Sequence, residues 1–149
     1  MIDGTHIRCL RACYDQVRLL DLTVPPERIY LRKLLLDRNL ELPAIVVSLP
    51  PNSQETFEPA TNMEDDIGYP VLVSFLAASN QDLEVDDRLT TDREVVLSKF
   101  RFQGIMGVTD MVYFCRPEPF PVIDMSLFQQ ANLDVGGFIL RFISRQTRG

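Results

Sequence analysis

The sequence has no tryptophan, a single histidine and only two lysines. No run of apolar residues approaches the roughly 18–20 needed to cross a bilayer; the apolar stretches, such as Ala44 to Val47, are short and strand-like. With one histidine, a Ser-His-Asp hydrolase has only His6 to use, close to the start of the chain, where orientation is hardest to hold. There is no Gly-x-Gly-x-x-Gly or phosphate-loop pattern, and Gly104-Ile105-Met106-Gly107 lacks the lysine. The cysteines, Cys9, Cys13 and Cys115, form no Cys-x-x-Cys pair. Their odd number reads as free thiols. Met1 to His6 lacks the basic start and apolar middle of a signal peptide, so the expected site of synthesis and folding is a cytoplasm. Clustered positive charge is missing too. Acidic residues number 21 against 15 basic ones, for a net charge of −6. That balance argues against general binding to nucleic-acid phosphates.

What remains is an ordinary globular composition, with 46% hydrophobic and 24% charged residues in 149. This length suits one domain, residues 1–149, with a core of its own. Thr5 to Leu22 is expected to be helical, because Ile7, Leu10, Cys13 or Tyr14, Val17 and Leu20 make one apolar stripe. Asp3 or Thr5 is placed to cap its start, and Pro25-Pro26 stops it. Glu27 to Leu36 has two readings, a strand at Arg28–Leu31, which is favoured, or a short helical face of Leu31, Leu34 and Leu35; Ala44–Leu49 reads as a strand. Glu55 to Thr61 reads as one arm of a hairpin, with a polar turn at Asn62–Asp66. Ile67 to Ala78 is the strongest strand. Ile67, Tyr69, Val71, Val73 and Phe75 point one way, and Leu72 and Leu76 the other, which suits a central position covered on both faces. Pro70 in it must sit where no ladder donor is needed.

After a polar linker, Ser79 to Asp87, a second helix is expected over Asp86–Gln103, carrying Leu89, Val96, Phe100 and Gln103 on one side. Thr90 or Thr91 with Glu94 makes a capping box, and Gly104 and Gly107 end the helix. Strands follow at Met111–Cys115, extended by Pro119–Ile123, and at Leu133–Ile143. In the last strand Phe138, Leu140 and Phe142 oppose Ile139, Arg141 and Ile143, and Gly136-Gly137 marks a bulge or a close backbone approach. The expected class is α+β: a mixed, mostly antiparallel sheet with two helices on one face, in the order α-β-β-β-β-α-β-β, and a long hairpin arm.

Two constellations carry possible chemistry. His6, Cys9 and Cys13 share a helix face and with Cys115 supply four zinc-ligand types; the plainer reading is core thiols beside a surface histidine. Glu64, Asp65 and Asp66 could bind calcium or act as an acid/base pair, but lack the alternating ligand spacing of a calcium loop and read better as a charged hairpin tip. Asp82, Glu84, Asp86 and Asp87 read as a solvated helix start. No cofactor, metal or catalytic group is assigned. Thirteen of the basic residues are arginines, the side chain favoured in interfaces. Arg141, Arg145 and Arg148 are candidates to pair with a neighbour's acidic loops.

Leu42-Pro-Ala-Ile-Val-Val-Ser-Leu-Pro50, Glu58-Pro-Ala-Thr-Asn-Met-Glu-Asp-Asp-Ile-Gly-Tyr-Pro-Val-Leu-Val-Ser-Phe75 and Gly136-Gly-Phe-Ile-Leu-Arg-Phe-Ile-Ser-Arg145, in this order of elements, resemble the tail terminator (tail completion) proteins of long-tailed bacteriophages. The resemblance implies a virion protein, assembled in the host cytoplasm, that is not an enzyme. It implies a ring, a hexamer in the family, at the head-proximal end of the tail tube. Such a ring stops tube growth and binds the tail tube protein and the head-tail connector, while genomic DNA passes through without specific binding. The interface candidates are Glu58, Asn62, Glu64, Asp65, Asp66, Arg141, Arg145 and Arg148. A stopper (head-completion) protein of the connector is the neighbouring reading. A small ligand-binding α+β module is the reading outside virions.

Overall fold

The computed structural model describes residues 4–33, 40–51, 53–78, 88–101, 112–118 and 133–147. Among them are helices α1 (Thr5–Arg18) and α2 (Arg88–Phe100), and strands β1 (Ile29–Leu31), β2 (Ala44–Ser48), β3 (Thr56–Pro59), β4 (Glu64–Ala78), β5 (Val112–Glu118) and β6 (Leu133–Thr147). A short 3-10 turn, Pro26–Arg28, leads into β1. This is the expected α+β order, with six strands in one sheet, β1-β2-β4-β6-β5, and β3 paired to β4 beside that path. Among the described strands only the β1–β2 pair is parallel.

The sheet is organised by β4 and β6, which pair antiparallel without a break from Glu64↔Thr147 to Ala78↔Leu133. Side chains alternate across a strand. Val71, Val73 and Phe75 of β4 and Phe138, Leu140 and Phe142 of β6 therefore fall on one face. There they share a buried core with Cys9, Cys13 and Val17 of α1 and Val96 and Phe100 of α2. Phe75 meets Phe138 at 5.7 Å between ring centres, and Phe100 meets Phe142 edge-on at 6.2 Å. Such pairs add about 0.5–1.5 kcal/mol each beyond the area they bury. Leu72 and Leu76 on the opposite face are buried as well, so β4 has the central position its composition required.

Two backbone features follow from residue type. The β4 edge away from β6 pairs with β3 over Asp65–Gly68 and with β2 over Leu72–Leu76. Pro70 falls in the gap between these two ladders. At Gly137 an added Cβ would lie 2.2 Å from the Val73 carbonyl oxygen. The glycine pair thus marks a close approach rather than a bulge in β6's pairing with β4; the register irregularity lies in β5, between Val112 and Phe114.

Other expectations are corrected. α1 ends at Arg18, four residues short of Leu22. Its buried side is Cys9, Leu10, Ala12, Cys13 and Val17, while Ile7 is exposed. Gly4 occupies the cap position with no side-chain bond, and Thr5 is already helical. Thr90 and Thr91 lie inside α2, so they form no capping box at its start. The hairpin turn is confined to residues 60–63, closed by the Ala60 and Thr61 amides donating to the Glu64 carbonyl, each at 3.1 Å. Glu64, Asp65 and Asp66 belong to the strand. β5 reaches Glu118 and β6 reaches Thr147, both beyond the expected ends. Asp3, residues 79–87, Gln103, Gly104, Gly107 and the segment Pro119–Ile123 lie outside the described residues.

Among the described residues the buried hydroxyls of Ser48 and Ser74 have no hydrogen-bond partner, and an unmet buried polar group costs about 1–3 kcal/mol. Gly137→Ala is expected to destabilise the fold by roughly 2 kcal/mol or more, because backbone must move to admit the methyl group. Ser74→Ala is expected to leave stability unchanged or raise it. Urea unfolding of the two variants beside the parent checks both.

Candidate functional site

Where β4 runs past the helices it forms, with β3 and the end of β6, an arm built on the hairpin. From Glu64 to Gly68 this is about 17 Å of strand at ~3.4 Å per residue. The sequence-derived candidates mostly lie here. Glu58 is exposed on β3, in register with Asp66. Asn62 is exposed in the turn. Glu64, Asp65 and Asp66 are half-buried at the start of β4. Arg145, opposite Asp66 on β6, grips its carboxylate with two bonds, Nε to Oδ1 at 3.0 Å and Nη2 to Oδ2 at 3.3 Å. Arg148 lies outside the described residues. Glu58, Asp66 and Arg116 line a shallow cleft of about 50 Å³ with Thr56, Phe114 and Ile143. That is far below the ~300 Å³ at which small-molecule pockets begin.

Arg141 is different from the other candidates. It is 5% exposed and sits on the sheet face away from the helices, beside Pro70 of β4 and Arg116 of β5. Its guanidinium pairs with the Glu118 carboxylate through both Nε and Nη2, the latter at 3.2 Å. Nη1 donates to the Gln54 carbonyl at 2.6 Å and Nη2 to the Ser53 hydroxyl at 3.0 Å. One side chain therefore ties β6, β5 and the segment entering β3. Its stem crosses Gly68, where an added Cβ would fall 2.7 Å from Arg141 Cδ and 2.4 Å from Thr56 Oγ1. A forked, permanently charged group suits this many acceptors. Arg141 thus holds the base of the arm, and its guanidinium is used inside the chain.

Sequence reasoning missed three other anchors. His6 sits at the base of the arm: Nε2 lies 2.7 Å from the Pro70 carbonyl oxygen, Nδ1 lies 3.6 Å from Glu55, and the ring packs on Tyr69. Asp92, buried in α2, accepts from the Thr23 and Val24 amides and the Thr23 hydroxyl, locking the chain that follows α1. Arg93 donates to the Gly137 carbonyl at 3.1 Å and covers the Phe138 ring. A charged residue inside an apolar helix or strand face was the only hint of these roles, and it names no partner.

The four possible zinc ligands separate into two settings. Cys9, Cys13 and Cys115 are fully buried and free, whereas His6 is engaged with β4 and Glu55. Among the described residues no group of three or more His, Cys, Asp or Glu is arranged to hold a metal. Burial pushes the Cys9 thiol up to about 12, against a smaller downward pull from Arg8, and pushes the Cys13 and Cys115 thiols well above their ordinary value, with Cys9 raising both further and Cys115 also raising Cys13. Thiols held in this form are poor nucleophiles.

A scan of protein-family models finds no match to this chain, and a search of curated proteins finds no relative.

Two outcomes are expected. Arg141→Ala leaves the Glu118 carboxylate without its main partner and costs about 3–5 kcal/mol, read by urea unfolding; Arg145→Ala, at an exposed pair, costs about 1 kcal/mol or less. Below pH 9 the thiols carry their protons in both folded and unfolded chains. Above pH 9 the unfolded chain releases protons that the folded chain retains, so stability falls from pH 9 towards 12. Urea titrations at pH 8 and 10.5, with Cys13→Ala as the flatter comparison, check this.

Proposed function

We propose that this chain is a structural protein of a long-tailed phage virion: a tail terminator that forms a ring on the head-proximal end of the tail tube. The ring ends tube polymerisation and presents the surface that meets the head-tail connector. The reading begins from the resemblance in Leu42–Pro50, Glu58–Phe75 and Gly136–Arg145. The observation that carries it further is the arm. It extends beyond the helix-covered sheet, is anchored at its base by the buried Arg141, and carries an exposed acidic and apolar surface. A fold with no further task would gain nothing from exposing Phe57 and Met63 there, at 71% and 64%. Exposed apolar groups of this size, close together on the hairpin, suit protein contacts.

The role asks for assembly and not for catalysis. A ring closes through heterologous contacts, two different patches of one chain that fit each other under rotation. A net charge of −6 suits a passage for DNA, since like charge keeps phosphates from adhering. Neither a cofactor nor a membrane enters this reading.

The test is the mass of the purified chain in solution, alone and with tail-tube protein from the same source. A closed ring, or a ring that forms only on tube protein, is the expected result. A monomer or dimer indifferent to tube protein overturns the reading. Binding to the portal-side adaptor instead of the tube would make the chain a stopper.

A further inference from the structure

Among the described strands, three have a side with no strand beside it: β1, β3 and β5. The β1 edge is blunted. It is three residues long and is followed by Arg32 and Lys33, and charge of this kind discourages pairing. β5 carries Pro117 and the irregularity between Val112 and Phe114, and it keeps regular pairing over Phe114–Glu118. β3 has no lysine or arginine, and Phe57 at its middle is exposed.

The backbone pattern decides what each edge offers. Bonded and unbonded residue pairs alternate along an antiparallel ladder. The Ala60 amide donates to the Glu64 carbonyl. The next bonded pairs of β3 are therefore Glu58↔Asp66 and Thr56↔Gly68, and the N–H and C=O of Phe57 point outward. On the other edge, Pro70 has no N–H and its carbonyl lies against His6. Arg141, opposite Pro70 on β6, therefore bonds to its other neighbour, Arg116 of β5. By alternation Cys115 and Pro117 turn their backbone groups outward, Pro117 with a carbonyl alone.

Direction and charge select the partner. β3 runs antiparallel to β4, β6 antiparallel to β4, and β5 antiparallel to β6. β3 and β5 therefore run opposite ways, whereas β1 runs the same way as β3. A rotation that sets one copy beside the next can bring β5 to β3 antiparallel, with the helix-covered faces on the same side. Glu58 of β3 and Arg116 of β5 are both exposed on the face away from the helices. Pairing two β3 edges instead would set Glu58 diagonal to its own copy, and the sequence has no lysine, arginine or histidine from Asn39 to Asp87 to offset it.

We infer that β3 of one copy pairs antiparallel with β5 of the next. Phe57 stands opposite Cys115 of the neighbouring copy, each amide donating to the other's carbonyl, and Glu58 lies diagonal to Arg116 of that copy. Opposite Pro117, Phe57 would find no donor. Phe57 is level with Ser144 and Cys115 with Phe142, so neighbours are offset by two residues; strands of a closed sheet are staggered. The contact joins two different edges, so it repeats from copy to copy and closes by rotation. It gives the ring of the proposed function its joint, and it rests on that reading.

The experiment uses the full chain and the variants Glu58→Arg and Arg116→Glu. Both side chains are exposed, so the melting temperatures should stay near the parent's. Mass is measured by light scattering under the condition, alone or with tail-tube protein, in which the parent assembles. Either variant alone sets like charges across every joint and should need a concentration about tenfold higher or more. An equal mixture of the two should assemble like the parent, because alternating copies in an even-numbered ring restore opposite charges at each joint. A contact within one chain cannot be rescued in this way. Phe57→Pro removes the outward donor and no bond to β4, so it should fold like the parent and assemble as poorly as the charge variants, while Phe57→Leu keeps the donor and assembles. Variants that assemble like the parent, or charge variants that the mixture fails to rescue, overturn the joint while leaving the ring intact. So does a Glu58→Arg chain that keeps its ring but loses tube binding, which makes the tube protein the occupant. A parent that forms no ring under either condition overturns the ring and the joint together.

Discussion

The unbroken pairing of β4 with β6 is the constraint on which the other elements depend. Fifteen consecutive residues of each strand are in register, and a shift of one residue would turn every buried side chain to the wrong face. Register is secured by packing on both sides. Val71, Val73, Phe75, Phe138, Leu140 and Phe142 face the helices, and Leu72, Leu76 and Val135 are buried on the reverse. Gly137 adds a steric term, since only a residue without Cβ fits against the Val73 carbonyl.

The same pair of strands runs through two settings. Over Val71–Ala78 it is the centre of the domain. Over Glu64–Gly68 it leaves the helices and becomes the arm. Between these parts stand His6, Pro70, Gly68 and Arg141, a polar belt that anchors the base of the projection. A buried guanidinium with a carboxylate and three other acceptors is costly to desolvate, and it repays the cost only when its partners are all in place. Ordering of the segment entering β3 is therefore coupled to the pairing of β5 with β6.

The thiols and the acidic residues show how one composition admits unlike roles. Cys9, Cys13 and Cys115 are ligand types by chemistry and core residues by position. Asp66 and Glu58 are both acids in one register pair, yet Asp66 is held by Arg145 and Glu58 stands exposed beside it. Residue type alone assigns neither.

Local pattern was enough for the class, the order of elements and the alternation of faces. Period-two alternation in Tyr69–Leu76 and Phe138–Ile143 and helical spacing in Leu10–Val17 are properties of short segments, and burial simply selects the apolar side. The same local view also identified Gly136-Gly137 and Pro70 as special backbone positions. It could not end α1 at Arg18, place Glu64–Asp66 in a strand, or exchange Ile7 for Cys9 in the core, because those outcomes depend on which distant segment packs against each residue. Arg141 is the clearest case: its place opposite Phe142 was legible, and its burial was not. Four of its partners, Ser53, Gln54, Gly68 and Glu118, come from segments 23 to 88 residues away, and only the folded sheet brings them within reach of one guanidinium.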